Sequence, residues 1–442
     1  MAAIVSIGAA AADFHDSLRD SILSNITGAT VKPDTLAVTR FGARGDGKKD
    51  CSGAFAKGIE RLAKRGGGVL RVPAGVYFVS GPIELKSNVM LHLDEGSTLL
   101  FDPNPERYPI VATSWEGTHC NNYSPMIRAR GAVNTGISGR GTIDGNAMTT
   151  FATWKPRQRE ALLRSREMNH NHVPRAERTF GDGDFLRPQL IQFFECQGVT
   201  VEGVMITNSP FWCIHLLASE NIICRGLRYD AKLINNDGID PESSRNILIE
   251  NIDFNNGDDN VAIKSGRDDD GRDPATSPSE NIVIRNCHFK GLHAVVLGSE
   301  LSGGIRNVII ENCDAAGYCK RGFYIKSNPD RGGFVERVSL RNVRLGDVED
   351  LFYITTSYAG EGADNVHYTR IEDIHVDTLT AENVSASAIV VQGLPQMPVH
   401  NVTLKGVECK SCAIGLSVEN AVGVTVNDCF IGGHAGVPSL AK

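Results

Sequence analysis

A chain of 442 residues ordinarily divides into two or three domains, but an elongated repeat fold adds core one layer at a time and can reach this length as one unit. The composition is that of an ordinary soluble protein, 41% hydrophobic and 22% charged, with glycine raised to 46 residues, so many tight turns are expected. A net charge of −7 argues against nucleic acid as a global partner, and no stretch approaches the ~18 uninterrupted apolar residues of a membrane span.

Residues 1–35 read as an N-terminal extension. The apolar start, closing in Ala9-Ala10-Ala11-Ala12, resembles the tail of a secretory signal without its basic region, so it is either a trimmed signal remnant or a chance run. Periplasmic or secreted localisation is expected. From residue 36 to 442 one unit is foreseen. Phe41 to Asp50 is rich in turn residues and leads into Cys51 to Arg65, where Phe55, Ile59 and Leu62 keep helical spacing. A helix there would cap an open stack, which otherwise exposes unpaired edge groups and an apolar interior. Gly66 to Phe78 then reads as two short strands around Pro73-Ala74-Gly75.

An inserted loop at about 150–185 breaks the pattern. Between Trp154 and Arg178 it carries seven basic residues (Lys155, Arg157, Arg159, Arg164, Arg166, Arg175, Arg178) against Glu160, Glu167 and Glu177. It is either a solvated excursion with a helical piece or a basic wall that attracts an anionic ligand and closes one end of a groove.

A degenerate unit, Asn or Gly followed by alternating apolar residues, begins at Gly198, Asn221, Asn246, Asn281 and Asn307 and returns at Asn401 and Gly423. The first five starts lie 23, 25, 35 and 26 residues apart, the long interval holding the polar insert Arg267 to Glu280. That period is too short for a βαβ crossover and lacks a leucine-rich consensus, but it suits one coil of a parallel β-helix with strands stacked at ~4.8 Å. The fold expected is therefore all-β, a single right-handed parallel β-helix, or solenoid, with an N-terminal capping helix. The eleven cysteines form no zinc-ligand pattern, and Cys287 and Cys313 recur at matching points, as buried fillers would.

Three acids fall one coil apart: Asp237, then Asp258 and Asp259, at 21 and 22 residues. On neighbouring strands of one sheet they would lie within reach of one glycosidic bond, and crowding would raise the pKa of one, creating an acid beside a base. Single Asp residues in such turns are often purely structural. The register, followed by His293 and Lys326 in later coils, favours chemistry. Asp268-Asp269-Asp270 looks like a solvated loop.

These residues resemble glycoside hydrolase family 28, the polygalacturonase family, over nearly the whole chain. Asn235-Asn236-Asp237 resembles that family's Asn-Thr-Asp signature, Asp258-Asp259 its Asp-Asp pair, Leu292-His293-Ala294 its Gly-His-Gly, and Tyr324-Ile325-Lys326 its Arg-Ile-Lys. The resemblance implies inverting hydrolysis of α-linked galacturonic acid in a pectic polysaccharide or oligosaccharide, with no metal or cofactor. Asp258 would be the general acid, Asp237 and Asp259 would activate water, His293 would orient the acid, and Lys326 would bind the sugar carboxylate.

Tyr324 departs from the expected arginine, so either Lys326, Arg321 or the basic loop compensates, or the bound sugar is modified. Further candidates for the groove are Asn235, Lys264 and Glu300, with Trp212 and His215 one coil earlier, Trp212 as a stacking platform or as packed core. Attack from the chain end is expected, because the two inserts would close one end of the groove. The rival readings are a calcium-dependent pectate or pectin lyase on the same fold and a carbohydrate-binding β-helix without turnover.

Overall fold

In the computed structural model, residues 14–359, 364–432 and 434–435 are described. The chain winds into a right-handed parallel β-helix of three sheet faces. One face, which carries the candidate site, stacks Ile127–Arg130, Ile191–Phe194, Ile214–Leu217, Ile239–Glu242, Asp259–Ile263 and His293–Gly298 in parallel register. The repeat unit lies on a second face, where Gln197–Glu202, Glu220–Arg225, Arg245–Glu250 and Ser279–Arg285 pair in order. The long strands Ile305–Lys326, Phe334–Thr355 and Arg370–Gln392 continue around all three faces.

The residue that opens each unit is set by the backbone. Asn221, Asn246, Asn281 and Asn307 all sit at φ between 57° and 60°, a left-handed conformation that only Gly and, next best, Asn adopt cheaply, and Gly198 and Gly423 stand at the same point with φ 69° and 73°. The asparagines also bond along the stack, Asn307 Nδ2 to Asn281 Oδ1 at 2.8 Å and Asn281 Nδ2 to Asn246 Oδ1 at 3.0 Å. Between these corners the alternating positions fill the interior: Val199, Ile222, Ile247, Ile282 and Val308 form one fully buried column. Cys287 and Cys313 are buried fillers, and all eleven cysteines are free thiols. Cys409 and Cys412, spaced as CxxC, interact through their thiols.

The capping helix forms as expected. Ser52–Lys64 buries Phe55, Ile59 and Leu62 over the first coil, with Gly58 so close to Leu70 that a Cβ would lie 2.6 Å from it. The N-terminal segment is better anchored than an extension. Residues 14–23 are helical, Ile22 packs on Ile223, Leu248, Val283 and Ile309, and buried His15 lies between Ser339 Oγ (2.7 Å) and Glu311 Oε2 (3.1 Å). The possible signal remnant, residues 1–12, lies outside the described residues.

The structure adds detail to one charge expectation and corrects another. The insert holds the helix Arg159–His170, and four of its arginines pair with acids: Arg164 with Asp184, Arg166 with Glu116, Arg175 with Asp273 at 3.1 Å and Arg178 with Asp270 at 2.6 Å. These pairs fasten the insert to neighbouring elements, while Arg157, which lies over the Phe185 ring at 3.7 Å, and Arg159 are exposed. Asp268–Arg272 is likewise a short helix and not a solvated loop, because Asp270 is buried against Arg178 and Asp268 binds Arg331 at 2.6 Å.

Candidate active site

The outer side of the first face is covered at its N-terminal end and open at its C-terminal end. A hairpin, Ile110–Trp115 with Thr118–Tyr123, folds across it through a two-residue turn at Glu116 and Gly117, both at positive φ. Gly117 is pressed against Arg267, whose N–H donates to its carbonyl at 2.8 Å. Ser114 Oγ donates to Glu242 and Gln192 Nε2 to Thr113 Oγ1, which seals the rungs before Asp237. Along the register Gln192, His215, Asp240 and then Ala262, Val296, Tyr324, Tyr353, the residues are buried up to Tyr324, and exposure begins at Tyr353.

At the boundary the three acids converge. Ile239 pairs with Val261, so Asp237 falls opposite Asp259, and the Gly238 N–H donates to the Asp259 carbonyl at 2.9 Å. His293 is the register partner of Asp259, and its Nδ1 lies 2.5 Å from Asp259 Oδ1; Lys326 Nζ lies 3.2 Å from Oδ2. Among the described residues Asp258 accepts from backbone and amide groups: its own neighbour Asp259 N at 3.1 Å, Asn235 N at 3.2 Å and Asn235 Nδ2 at 3.5 Å.

These surroundings divide the proton affinities. Burial and the adjacent Asp259 charge raise Asp258 above the usual carboxylate range. Burial would raise Asp259 too, but the Lys326 charge and the His293 bond outweigh it and hold Asp259 far below that range. Asp237 is pushed well up by burial and then by Asp240, which sits beside it at the same ammonium: Lys264 Nζ is 3.9 Å from Asp237 and 3.7 Å from Asp240. Burial raises Asp240 as well, so both carboxyls that share this cation have a raised proton affinity.

Several residues expected in the groove support it from below. Trp212 is 3% exposed and stacks on Phe211, itself stacked on Trp115, with Lys264 Nζ 4.7 Å over the Trp212 ring; it is packed core and offers no sugar platform. His215 is fully buried with both nitrogens engaged, Nδ1 with Gln192 at 3.0 Å and Nε2 with Glu242 at 2.8 Å, which removes it from any subsite. Lys264 and Glu300 meet at 3.2 Å, and Glu300 also binds Arg267 at 3.0 Å, so both form the buried floor. Arg321 is held by Asp350 at 3.0 Å and lies between the rings of Tyr324 and Tyr353. Tyr324 itself is 3% exposed and meets the His293 ring edge-on at 5.4 Å.

Other residues complete the site. Asp240 was not among the expected site residues, and its signal in the sequence is its position three residues after Asp237. Arg187 had no local signal; it is fully buried and donates to Asn235 Oδ1 at 2.7 Å and the Ile234 carbonyl at 2.8 Å, fixing the residue that holds Asp258. Asn256 Nδ2 donates to the carbonyls of Asn236, Asp258 and Asp259, tying the two acidic turns together.

Asp258, Asp259 and His293 also present donor atoms within 4.8 Å of one another, a set compatible in size with a metal ion. Calcium wants six to eight oxygens, whereas this set offers two carboxylates, an imidazole and a lysine ammonium already placed as counter-charge.

Carboxyl groups from neighbouring turns of a parallel β-helix, one paired with a lysine and a histidine and the other held by N–H groups, are an arrangement suited to acid–base cleavage of a glycosidic bond. The model of glycosyl hydrolases family 28 matches residues 70–429, and the chain belongs to that family. A second model, rhamnogalacturonase A/epimerase, pectate lyase-like, matches residues 36–98. The chain is 30% identical over 391 residues to a probable polygalacturonase of Vitis vinifera, covering 84% of this chain and 74% of that one. It is 29% identical to an exo-poly-alpha-D-galacturonosidase of Dickeya chrysanthemi, over 83% and 65%. The crystal structure of a hyperthermoactive exopolygalacturonase from Thermotoga maritima superposes with a TM-score of 0.89 at 35% identity, covering 96% of this chain and 97% of that one.

Proposed function

We propose that the enzyme hydrolyses α-linked galacturonan from a chain end, with inversion, using Asp258 as general acid and Asp259, assisted by Asp237, to activate water. The observation that carries this is the unlike surroundings of two adjacent acids: Asp259 is held by Lys326 Nζ and His293 Nδ1, whereas Asp258 accepts from the N–H groups of Asn235 and Asp259. Asp258 gives its proton to the leaving oxygen as the glycosidic bond breaks. Asp259 takes a proton from the water that attacks the opposite face of the sugar. The Lys326 and His293 contacts keep Asp259 ionised, and Asp237, which shares the Lys264 ammonium with Asp240, lies opposite Asp259 to orient the water.

Action at the chain end is supported by the sealed rungs before Asp237 and by the exopolygalacturonase named among the related structures. Residues 36 onward form the catalytic unit in this reading, with 1–35 as an N-terminal extension whose described part, 14–35, packs on the β-helix. A polymeric substrate, which does not cross a cell membrane, supports a location in the periplasm or outside the cell. No helix among the described residues is long and apolar enough to cross a membrane.

Product chemistry tests the reading. Polygalacturonate digested by the enzyme should release reducing ends without new ultraviolet absorbance, and with no loss of rate in chelator. An absorbing unsaturated product, or rate abolished by chelator, would mean elimination. Monosaccharide from the first minutes supports attack at the end; an early ladder of oligomers contradicts it.

A further inference from the structure

The acids stand at the starts of strands on the first face, and the ends of the earlier strands border a second cleft. Four rungs in parallel register end that face at Arg130, Phe194, Leu217 and Glu242 and open the second face at Val133, Gln197, Glu220 and Arg245. They make a floor roughly 14 Å long at the spacing of stacked strands. Facing it are His119 of the hairpin, Arg175 of the first insert and Thr276 and Ser277 of the second, with about 700 Å³ between the two walls. Among the described residues, neither the acids nor His293 nor Lys326 line this cleft.

Its charged lining, among the described residues, is Arg130, Arg175 and Arg245 against Glu195 and Glu220, a positive balance on a chain of net charge −7. Each arginine meets an acid: Arg130 with Glu195 at 3.2 Å, Arg175 with Asp273 at 3.1 Å and Arg245 with Glu220 at 2.6 Å. All three arginine side chains are about half exposed, so solvent screens the pairs, and each pair occupies only part of the guanidinium's N–H donors. The His119 ring, 6.3 Å from that of Phe194, has no hydrogen-bond partner among the described residues. Burial lowers its pKa, which leaves a neutral imidazole offering one donor and one acceptor to the cleft.

A ligand that meets both kinds of group carries carboxylates for the guanidiniums and hydroxyls for the imidazole and the glutamates. Arg130 and Arg245 stand on the first and the last of the four rungs, so a single sugar ring cannot reach both and a short chain can. Resting on the galacturonan reading above for the identity of the ligand, we propose that this cleft is a second saccharide site, apart from the acids, that binds a short uronic acid oligomer with Arg130 and Arg245 on its carboxylates. His119, between them on the opposite wall, takes hydroxyls of the same chain.

The test is calorimetric titration of the full chain carrying Asp258→Asn, in which turnover is blocked, with trigalacturonate and with the neutral trimer galactotriose. Two molecules of trigalacturonate should bind, one in the groove and one in the cleft. Adding Arg130→Ala and Arg245→Ala together should remove one of the two, and either substitution alone should weaken that site by about tenfold, the scale of one charge-assisted hydrogen bond. Both arginines are half exposed, and a thermal melt matching the parent checks that the variants fold. Galactotriose should not bind in the cleft. The inference is overturned if the number of bound trigalacturonate molecules is the same with and without the two arginines, if none binds, or if galactotriose fills the arginine-dependent site as tightly as the acid. A single bound trimer that the arginine substitutions abolish would sustain the cleft and count against the groove reading, so the two can fail separately.

Discussion

Lys326 Nζ sits 3.2 Å from Asp259 Oδ2 across 67 positions of sequence, while Asp258, the residue just before it in the chain, is held by N–H donors of Asn235 and Asp259. Adjacent carboxyls thereby acquire opposite proton affinities.

The pH profile should reflect this division. Asp258 works protonated and its pKa is raised, so kcat/KM should persist above the ordinary carboxylate range and fall as pH rises through the raised value. Asp259 works ionised and its pKa is depressed, so the acid limb should lie at low pH. Lys326→Met removes the cation that depresses Asp259 and should move the acid limb upward. A profile with both limbs unmoved in that variant would contradict the assignment.

Stability follows the same sign. A depressed native pKa means that ionised Asp259 contributes stability that is present above the unfolded carboxylate value and is lost as pH falls toward the native one. Thermal melts of wild type should show a decline on acidification that is weaker in Lys326→Met.

Trp212→Ala distinguishes packing from sugar stacking. Losing a buried indole stacked on Phe211 should cost about 3–5 kcal/mol of stability, read as a lowered Tm. If Trp212 were a subsite platform, KM would rise at unchanged Tm.

Arg187→Ala should lower kcat by about 10–100-fold through misplacement of Asn235 and the Asp258 it holds. Arg187 acts through those residues, so binding of a trimer by calorimetry should change much less than turnover. Equal loss of binding and turnover would count against this positioning role.

The coil architecture was legible because each rung declares itself locally: Asn or Gly at a left-handed corner, then alternating apolar residues. The registered acids were legible for the same reason, since a regular coil turns sequence interval into spatial adjacency. What local pattern did not show is charge pairing at long range. Asp270 looked solvated because its partner Arg178 lies 92 positions away, and part of the insert's basic charge is paired with Glu116 and Asp270 from other elements. The hairpin that buries Trp212 and His215 is a tertiary event as well; neither residue's neighbours in sequence reveal that Trp115 and Phe211 will stack beside them.

The most direct measurement of the central claim is reducing-sugar release by Asp258→Asn set beside its affinity for a galacturonate oligomer. The amide keeps the shape and loses the proton donor, so turnover should fall by about 10²–10⁴-fold while affinity stays close to wild type. Turnover within a few fold of wild type, in a correctly folded variant, would contradict the assignment of Asp258 as the acid and with it the division of labour between the two neighbouring carboxyls.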